Sequence, residues 1–276
     1  MNQPMPILLP RRGAPRPATR RPEDRLKSLL RRVGRAIEDF RLIEAGDRIL
    51  VAMSGGKDSH VMLQLLETLR RRAPVRFSLV AVTVDQGYRG FQTGVMERYF
   101  QERGFEYHIE RTNIAEVIDD TMALGDTHCS MCARLRRGVL YRLAPELRCN
   151  KIALGHHADD LIETLLMGQF YNGEIRSMPP ILRADDGRNV VIRPLAYVWE
   201  DEVAAFARTE GLPVIGCACP ACGDVSLKRR QTKGLLARLE AEHPGIKASM
   251  LKALTNVKPR HLLDRRLYDP TGLSEA

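Results

Sequence analysis

The chain has 276 residues, of which 44% are hydrophobic and 28% are charged, with a formal net charge of +9 and a pI of about 9.5. This length and composition predict a globular protein with a substantial buried core. They exclude a membrane-spanning segment, because no apolar run approaches ~20 residues. Ile7, Leu8 and Leu9 are too few, and too closely flanked by prolines, to form a signal peptide. We therefore expect a cytoplasmic protein.

The excess of positive charge favours a polyanionic partner, nucleic acid before membrane. A solvated basic surface is the simpler alternative. Part of the excess lies in residues 1–22, where arginines alternate with prolines, a composition typical of a disordered basic tail. These arginines are Arg11, Arg12, Arg16, Arg20 and Arg21.

Residues 23–45 carry apolar side chains at helical spacing and predict an amphipathic helix. Beyond it, strand-like and helix-like segments alternate. The predicted strands are 48–53, 77–85, 105–109, 151–155 and 190–192, and the predicted helices include residues 57–72, 94–103, 159–171, 199–210 and 227–241. Such alternation predicts an α/β fold, a parallel twisted sheet with helices on both faces. We expect a main domain over residues 23–210 and a smaller Cys-rich, helical appendage over 211–276.

Residues 54–59 read Ser-Gly-Gly-Lys-Asp-Ser and directly follow the first predicted strand. Gly55 and Gly56 let the backbone approach an anion, and the following helix N-terminus offers free N–H groups. Lys57 adds a cation, while Ser54 and Ser59 add hydroxyl donors. The spacing differs from the Walker A pattern. The sequence favours a phosphate cradle over an ordinary glycine turn.

Two further polar clusters follow predicted strands. Asp85 ends the second strand, and Gly155-His156-His157 with Asp159 and Asp160 follows the fourth. Ligands of parallel sheets bind beyond the carboxyl ends of the strands, so we expect these clusters to converge on the glycine turn. Asp159 and Asp160 could hold Mg²⁺ on a pyrophosphate. Alternatively, Asp159 only caps the helix that begins there.

Five of the six cysteines lie in two groups. Cys129 and Cys132 form one C-x-x-C pair, Cys219 and Cys222 form a second about ninety residues later, and Cys217 stands beside it. Two pairs favour a shared zinc or iron–sulfur site over a redox dithiol or structural disulfides. The sixth cysteine, Cys149, is expected to be a small buried apolar residue.

The helix after the first pair presents a basic face. Leu135, Val139, Leu143 and Leu147 form an i, i+4 stripe for the core. The arginines off that stripe are Arg134, Arg137 and Arg142. They are available to phosphates, although a solvated helix face accounts for each of them nearly as well.

Together these motifs resemble the tRNA 2-thiocytidine synthetase family, with the archaeal-type 2-thiouridine synthetases as near relatives. The glycine turn resembles the PP-loop, S-G-G-x-D-S, of ATP pyrophosphatases. The other segments that carry the resemblance are 134–138 after the first cysteine pair, 152–160, 178–180 and 192–195. It spans roughly residues 24–270.

The resemblance implies an adenine-nucleotide α-hydrolase-type fold and an ATP- and Mg²⁺-dependent enzyme. It would replace the C2 oxygen of cytidine 32, in the tRNA anticodon loop, with sulfur through an adenylated intermediate. The implied nucleotide-binding residues are Ser54, Gly55, Gly56, Lys57, Asp58, Ser59, Asp85, Gly155 and His156. Lys57 would neutralise phosphates, Asp58 would orient the loop or its metal, and Asp159 is the third implied catalytic residue.

Family members also hold a [4Fe-4S] cluster with three cysteines and take sulfur from a cysteine desulfurase. Cys129 and Cys132 match two of the ligands directly. The family's last cysteine precedes a glycine, with Arg-Gln at fixed spacing, and Cys222 matches that pattern. An apparent two-residue insertion makes Cys219 its competitor. The oligomeric state stays open, with a homodimer as one option.

Three alternatives remain from the sequence. A 2-thiouridine-forming sulfurtransferase would share every motif. A PP-loop amidotransferase or ligase would explain residues 54–59 but leave the cysteine pairs idle. A zinc-stabilised RNA-binding module would explain the cysteines without catalysis.

Overall fold

The computed structural model describes residues 21–121, 128–216 and 227–268, without the side chains of residues 128–130 and 227. Cys217, Cys219, Cys222 and the predicted basic tail before residue 21 lie outside the described residues. None of the described helices combines the length and the apolar composition needed to cross a bilayer.

One six-stranded sheet organises the described part of the chain, in the order β3-β2-β1-β4-β6-β5. Its strands are β1 Arg48–Ala52, β2 Ser78–Asp85, β3 Tyr107–Arg111, β4 Lys151–Ala153, β5 Ile181–Arg183 and β6 Val190–Ile192. All neighbouring pairs are parallel except β5 with β6. The predicted α/β class is confirmed, with one antiparallel edge strand that the sequence analysis did not predict.

Helices cover both faces of this sheet. The described α-helices are α1 Pro22–Phe40, α2 Lys57–Arg70, α3 Thr93–Arg103, α4 Ile114–Thr121, α5 His128–Glu146, α6 Ala158–Met167, α7 Glu200–Thr209, α8 Leu227–Glu242 and α9 Ile246–Ala253. A π-helical turn, Gly168–Asn172, follows α6, and a 3₁₀ turn covers Pro259–His261.

Alternation along β1 divides the core between the two faces. Ile49 and Val51 pack with residues of α1, α2, α3 and α7, whereas Leu50 packs with residues of α4 and α5. Because successive side chains of a strand point to opposite faces, five residues of β1 serve both layers. A third apolar cluster joins α6 to α8 and α9. The C-terminal helices therefore pack against the main body.

The observed helix ends differ from the predicted ones where local geometry intervenes. α1 stops at Phe40, because Arg41 takes a left-handed conformation with φ of 49°. The helix predicted to reach residue 171 ends at Met167 and continues as the π-helical turn. α4 and α9 were missed, and β5, a three-residue edge strand, forms only through its pairing with β6.

The stripe predicted on α5 is confirmed. Leu143 is buried, and Leu135, Val139 and Leu147 pack at the edge of the same cluster. Arg134 and Arg137 are exposed, as expected. Arg142 is exposed too, but it forms ion pairs with carboxylates at positions 110 and 146 and is less available to phosphates than predicted.

Candidate nucleotide site

The glycine turn lies between the end of β1 and the first residue of α2. Gly55 has φ of +81°, and a Cβ there would lie 2.2 Å from Ile215 Cγ1. The backbone of Ile215 donates to Gly55 O at 3.0 Å. This position therefore needs glycine for its backbone conformation and because Ile215 fills the space beside it.

Hydrogen bonds within the loop hold it around Gly56. Ser59, which is buried, donates its hydroxyl to Gly56 O at 2.9 Å, and Gly56 N donates to Ser54 Oγ at 3.3 Å. Burial lowers the pKa of His60, whose Nδ1 lies 3.0 Å from Gly56 O. No side chain caps the start of α2, a described helix whose first N–H groups thus face the turn. They offer partial positive charge to an anion.

A second loop packs directly on the first. Gly155 follows β4, and a Cβ on it would lie 3.2 Å from Asp58 C and from Ser59 N. His157 and Asp160 then form a reciprocal cap at the start of α6, in which Asp160 N donates to His157 Nδ1 and His157 N donates to Asp160 Oδ2. The contact brings His157 Nε2 to 3.8 Å from Asp58 Oδ1. Two of the three predicted strand-end clusters therefore converge.

A cavity of about 300 Å³ opens at this junction. Its lining combines four cationic and four acidic side chains with one histidine. The lining residues are Lys57, Asp58, His157, Asp160, Glu163, Glu200, Arg229, Arg230 and Lys233. The last three belong to α8, so the segment that the sequence suggested as an appendage forms one wall of the cavity.

Lys57 is held between two carboxylates. Its Nζ lies 3.2 Å from Asp58 Oδ1 and 3.2 Å from Glu200 Oε1, and Lys233 Nζ lies 2.6 Å from Glu200 Oε2. Burial alone would raise the pKa of Glu200, but the hydrogen bond from Lys233 and the charge of Lys57 lower it to about 2. Burial alone would lower the pKa of Lys57, but the nearby charges of Asp58 and Glu200 raise it. Both groups stay charged at neutral pH.

Asp58 retains an unused acceptor. Its Oδ1 atom is buried and accepts no hydrogen bond of acceptable geometry from any described residue, although Lys57 and His157 approach it. A buried carboxylate oxygen with spare acceptor capacity is the kind of ligand that Mg²⁺ binds. Asp160 lines the same cavity from the first turn of α6.

Asp159 occupies a different place. It is 4% exposed, its Oδ2 accepts from Glu200 N at 2.7 Å, and its Oδ1 lies 2.8 Å from Lys247 Nζ. It therefore ties α6 to the N-terminus of α7 and to α9, and it does not line the cavity. Its predicted catalytic role stays a prediction, and the geometry favours Asp160 as the carboxylate that faces a ligand.

Two other implied residues, Asp85 and His156, do not line the cavity. Asp85 closes the turn after β2 by accepting from Gly87 N at 3.0 Å, and it does not line the cavity. Desolvation lowers the pKa of His156, so its imidazole is neutral, and Nδ1 accepts from Arg193 Nε at 3.3 Å. Arg193 also donates to Pro179 O. The motifs around residues 178–180 and 192–195 thus meet at His156.

Glu163 was missed by the sequence analysis. It is buried, and burial followed by the charge of Asp160 raises its pKa to about 7. Arg229 Nε lies 3.5 Å from Glu163 Oε2. The available signal was a glutamate three residues after Asp160 in a mostly apolar stretch of helix. Glu200 and Lys233 carried no comparable signal, because only tertiary packing brings them to Lys57.

The first cysteine pair lies at the start of α5. The helix begins at His128, so Cys129 and Cys132 are one turn apart on it, and the Cys132 side chain is 8% exposed. The side chain of Cys129 lies outside the described part. Within that part, no group of three or more His, Cys, Asp or Glu side chains is arranged to hold a metal ion. The third ligand, predicted at Cys222, lies outside the described residues.

Comparison with known proteins agrees with this architecture. Residues 25–216 match the PP-loop domain family, so the fold and the glycine turn define a PP-loop protein. The tRNA-cytidine(32) 2-sulfurtransferase of Geobacter metallireducens is 52% identical over 245 residues, which are 89% of this chain and 95% of that protein. The corresponding protein of Geobacter sulfurreducens is 54% identical over 243 residues, 88% of this chain and 95% of its own. The chain belongs to the tRNA-cytidine(32) 2-sulfurtransferase family.

A solved structure shares the fold over most of the chain. The U34-tRNA thiolase NcsA from Methanococcus maripaludis, determined with its [4Fe-4S] cluster, has a TM-score of 0.68 at 26% identity. The match covers 86% of this chain and 81% of that one. The family resemblance inferred from the motifs is confirmed.

Proposed function

We propose that this protein uses ATP to replace the C2 oxygen of cytidine 32 in tRNA with sulfur. The observation that carries the proposal is identity above 50% to proteins named for this reaction, over 95% of their length. The cavity supports it, because an uncapped helix N-terminus, Lys57 and a carboxylate with spare acceptor capacity suit a magnesium-bound triphosphate.

Different residues of the cavity would bind the phosphates of ATP and its Mg²⁺ ion. The start of α2 and Lys57 would hold the β- and γ-phosphates and stabilise charge on the departing pyrophosphate. Asp58 and Asp160 would hold Mg²⁺, which as a Lewis acid neutralises phosphate oxygens. Arg229, Arg230 and Lys233 add positive charge from α8.

Adenylation makes the base oxygen a leaving group. The C2 oxygen forms a bond to the α-phosphorus of ATP while the bond to the β-phosphate oxygen breaks, and pyrophosphate leaves. Hydrosulfide then forms a bond to C2 as the C2–O bond breaks, AMP leaves, and loss of the thiol proton gives the thiocarbonyl.

We propose Cys129, Cys132 and Cys222 as ligands of a [4Fe-4S] cluster. One helical turn between Cys129 and Cys132 fits two thiolates directed to one cluster, and Cys132 lies against an apolar part of the core. When bound, the cluster would supply an iron that carries sulfur to the site.

The sulfur source would be a cysteine desulfurase, whose persulfide releases hydrosulfide when a thiol reductant supplies two electrons. We propose that the protein acts in the cytoplasm, where its tRNA substrate is found, with a homodimer as one possible assembly. The division into a tail over 1–22, a catalytic domain over 23–210 and a C-terminal segment over 211–276 remains our proposal, with α8 serving the catalytic site.

Mass spectrometry of tRNA nucleosides from a deletion strain tests the proposal. Complementation with the native gene should restore 2-thiocytidine. Lys57→Ala should abolish it together with AMP and pyrophosphate release, and the exposed Lys27→Ala on α1 should behave as native. If complementation restored 2-thiouridine and no 2-thiocytidine, the protein would thiolate uridine, as the name of the structural neighbour indicates for that protein. Full thiolation by Lys57→Ala would remove adenylation at this site from the mechanism.

A further inference from the structure

Two aromatic side chains stand exposed at the end of α6. Phe170 is 53% exposed and Tyr171 is 40% exposed, in an edge-to-face arrangement with ring centroids 6.3 Å apart. Phe170 is the most exposed Phe, Tyr or Trp among the described residues. Only 5% of the chain is aromatic, and the rest of its described aromatic clusters lie largely in the core. An exposed aromatic pair is a candidate binding surface, to be judged by its surroundings.

The backbone that carries the pair is held in place. Gly168–Asn172 form a π-helical turn, a rare geometry that occurs frequently at functional sites. Glu174 N donates to Gly168 O at 3.0 Å, and a Cβ on Gly168 would lie 2.8 Å from Glu174 O. Ser177 Oγ also donates to Leu161 O at 2.7 Å, which ties the following segment back to α6. The rings are thus presented on a fixed support.

A lysine lies beside the pair. Lys228 Nζ lies 4.8 Å from the centroid of the Tyr171 ring, within cation–π range. Lys228, Arg229 and Arg230 are consecutive exposed residues at the start of α8. Exposed aromatic rings beside cations match the chemistry of single-stranded nucleic acid, whose bases stack while its phosphates pair with lysine or arginine. They match an acidic or apolar protein surface less well.

The same stretch of α8 connects the pair to the nucleotide cavity. Lys228 contacts Tyr171, while Arg229, the next residue, lies 3.5 Å from Glu163 and lines the cavity with Arg230. Adjacent Cα atoms are only ~3.8 Å apart. The aromatic pair and the cavity therefore border the same turn of α8, within reach of one RNA strand whose reacting base occupies the cavity.

We propose that Phe170 and Tyr171 form a stacking platform for unpaired anticodon-loop nucleotides that flank the base entering the cavity. The inference rests on the proposed function for the identity of the RNA. Base stacking on an aromatic side chain is largely independent of sequence. The platform would hold the loop open beside the cavity, and the cavity would select the base that reacts.

The test compares Phe170→Ala, Tyr171→Ala, the double alanine variant and Tyr171→Phe with the native full-length protein. Leu182→Ala, at an exposed apolar position on β5, is the matched control. The probe is an anticodon stem-loop RNA with 2-aminopurine next to the target cytidine, and both affinity and fluorescence are measured. ATP binding checks that each variant is folded.

The native protein, Tyr171→Phe and Leu182→Ala should bind the RNA and quench 2-aminopurine. Each single alanine variant should bind about 5- to 100-fold more weakly, as expected for one lost stacking contact, with reduced quenching and unchanged ATP binding. Alanine variants with native affinity and quenching would overturn the platform. If the alanine variants kept native RNA affinity but lost self-association or binding to a protein partner, the patch would instead be a protein interface.

Failure of the proposed function is distinguishable from failure of the platform. If the native protein binds the RNA but forms no thiolated base, the proposed function fails, and the stacking comparison still decides the platform. If the native protein does not bind the stem-loop at all, both are overturned.

Discussion

At the scale of single residues, the pKa values of two glutamates in one cavity are shifted in opposite directions. Glu200 contacts two lysines, which lower its pKa to about 2 against the effect of burial. Glu163 is buried beside Asp160, which raises its pKa to about 7. Two carboxyl groups whose pKa values differ this much can have different roles in one site. One stays an anion, and the other can carry a proton.

Glu163→Gln should change how stability depends on pH. Because the pKa of Glu163 is raised in the folded state, the native protein binds an extra proton between about pH 4.5 and 7. Stability from this group is therefore present at low pH and is lost as pH rises through 7. Glutamine removes that loss, so the stability of the variant relative to native should rise by about 2–3 kcal/mol on going from pH 5 to pH 8.

Urea unfolding at several pH values measures this difference. Glu116→Gln, on an exposed face of α4, controls for removal of a carboxylate. Parallel pH profiles for the native protein and Glu163→Gln would contradict the assignment of a raised pKa to Glu163.

The cysteines should separate by iron content. Burial raises the pKa of Cys149 to about 11, so its thiol stays protonated at neutral pH and is a poor metal ligand. We expect Cys149→Ala to keep iron and activity. Cys129→Ala, Cys132→Ala and Cys222→Ala should each lose both, as measured by anaerobic iron analysis and tRNA thiolation.

The remaining two cysteines decide the third ligand. Cys217→Ala should keep iron and activity, and Cys219→Ala should keep most of its iron. An iron-free Cys219 variant beside an iron-replete Cys222 variant would transfer the ligand to Cys219.

At the scale of elements, the nucleotide site depends on tight contacts between loops. Strand β1 ends against the start of α2, the loop after β4 packs on that turn through Gly155, and Ile215 closes it from the segment after α7. These three segments are far apart in sequence. Contacts between distant segments of the chain therefore hold the turn in place.

Gly55→Ala should destabilise the protein and abolish AMP formation, through both a left-handed backbone and a clash with Ile215. Gly46→Ala separates the two effects, because Gly46 has φ of +86° with no atom within 4 Å of the added Cβ. It should cost only about 1–2 kcal/mol of backbone strain. Urea unfolding of both variants, with activity measured in parallel, gives the comparison.

The double variant Gly55→Ala/Ile215→Ala should recover part of the stability and activity, because the shorter side chain leaves room for the new methyl group. Equal losses of stability in Gly55→Ala and Gly46→Ala would show that Ile215 does not confine the turn.

The elements themselves were largely predictable. Apolar runs marked β1, β2 and β4, because strands of a parallel sheet are buried on both faces. The unpredicted β5 has three residues and an exposed side chain, Leu182, so it carries no buried-strand pattern. The capping pair of His157 and Asp160 starts α6 at Ala158, within one residue of the predicted helix start. Asp159 is buried by contacts with α7 and α9, which the sequence did not indicate, and its catalytic role stays a prediction.

At the scale of the whole molecule, the C-terminal helices complete the site. α8 and α9 pack on α6 through an apolar cluster. They also supply Lys233 to Glu200, Arg229 to Glu163 and Lys247 to Asp159. One wall of the cavity therefore comes from the segment after residue 211, with a net positive charge that suits phosphates.

Binding of tRNA should weaken with salt, since contacts to phosphates release counterions. The logarithm of the association constant should fall linearly with the logarithm of salt concentration. Arg134→Gln and Arg137→Gln on the exposed face of α5 should each lower the slope by roughly 1. Arg142→Gln should lower it less, because Arg142 is already paired with carboxylates.

Duplex DNA of similar length is the competitor, and tRNA should bind more tightly because RNA loops are recognised through shape and unstacked bases. A binding constant that is unchanged between low and moderate salt would contradict the electrostatic part of this prediction.

The sequence by itself determined the fold class, the glycine turn with its helix and the family, because these depend on short motifs and on their order along the chain. Hydrophobic runs, a hexapeptide and cysteine spacing are local signals. The tertiary structure alone placed Glu200, Lys233 and Ile215 at the turn, raised the pKa of Glu163 and joined Asp159 to α7 and α9. Pairing of distant charges and loss of solvent depend on which surfaces meet, and that is settled only when the helices pack on the sheet.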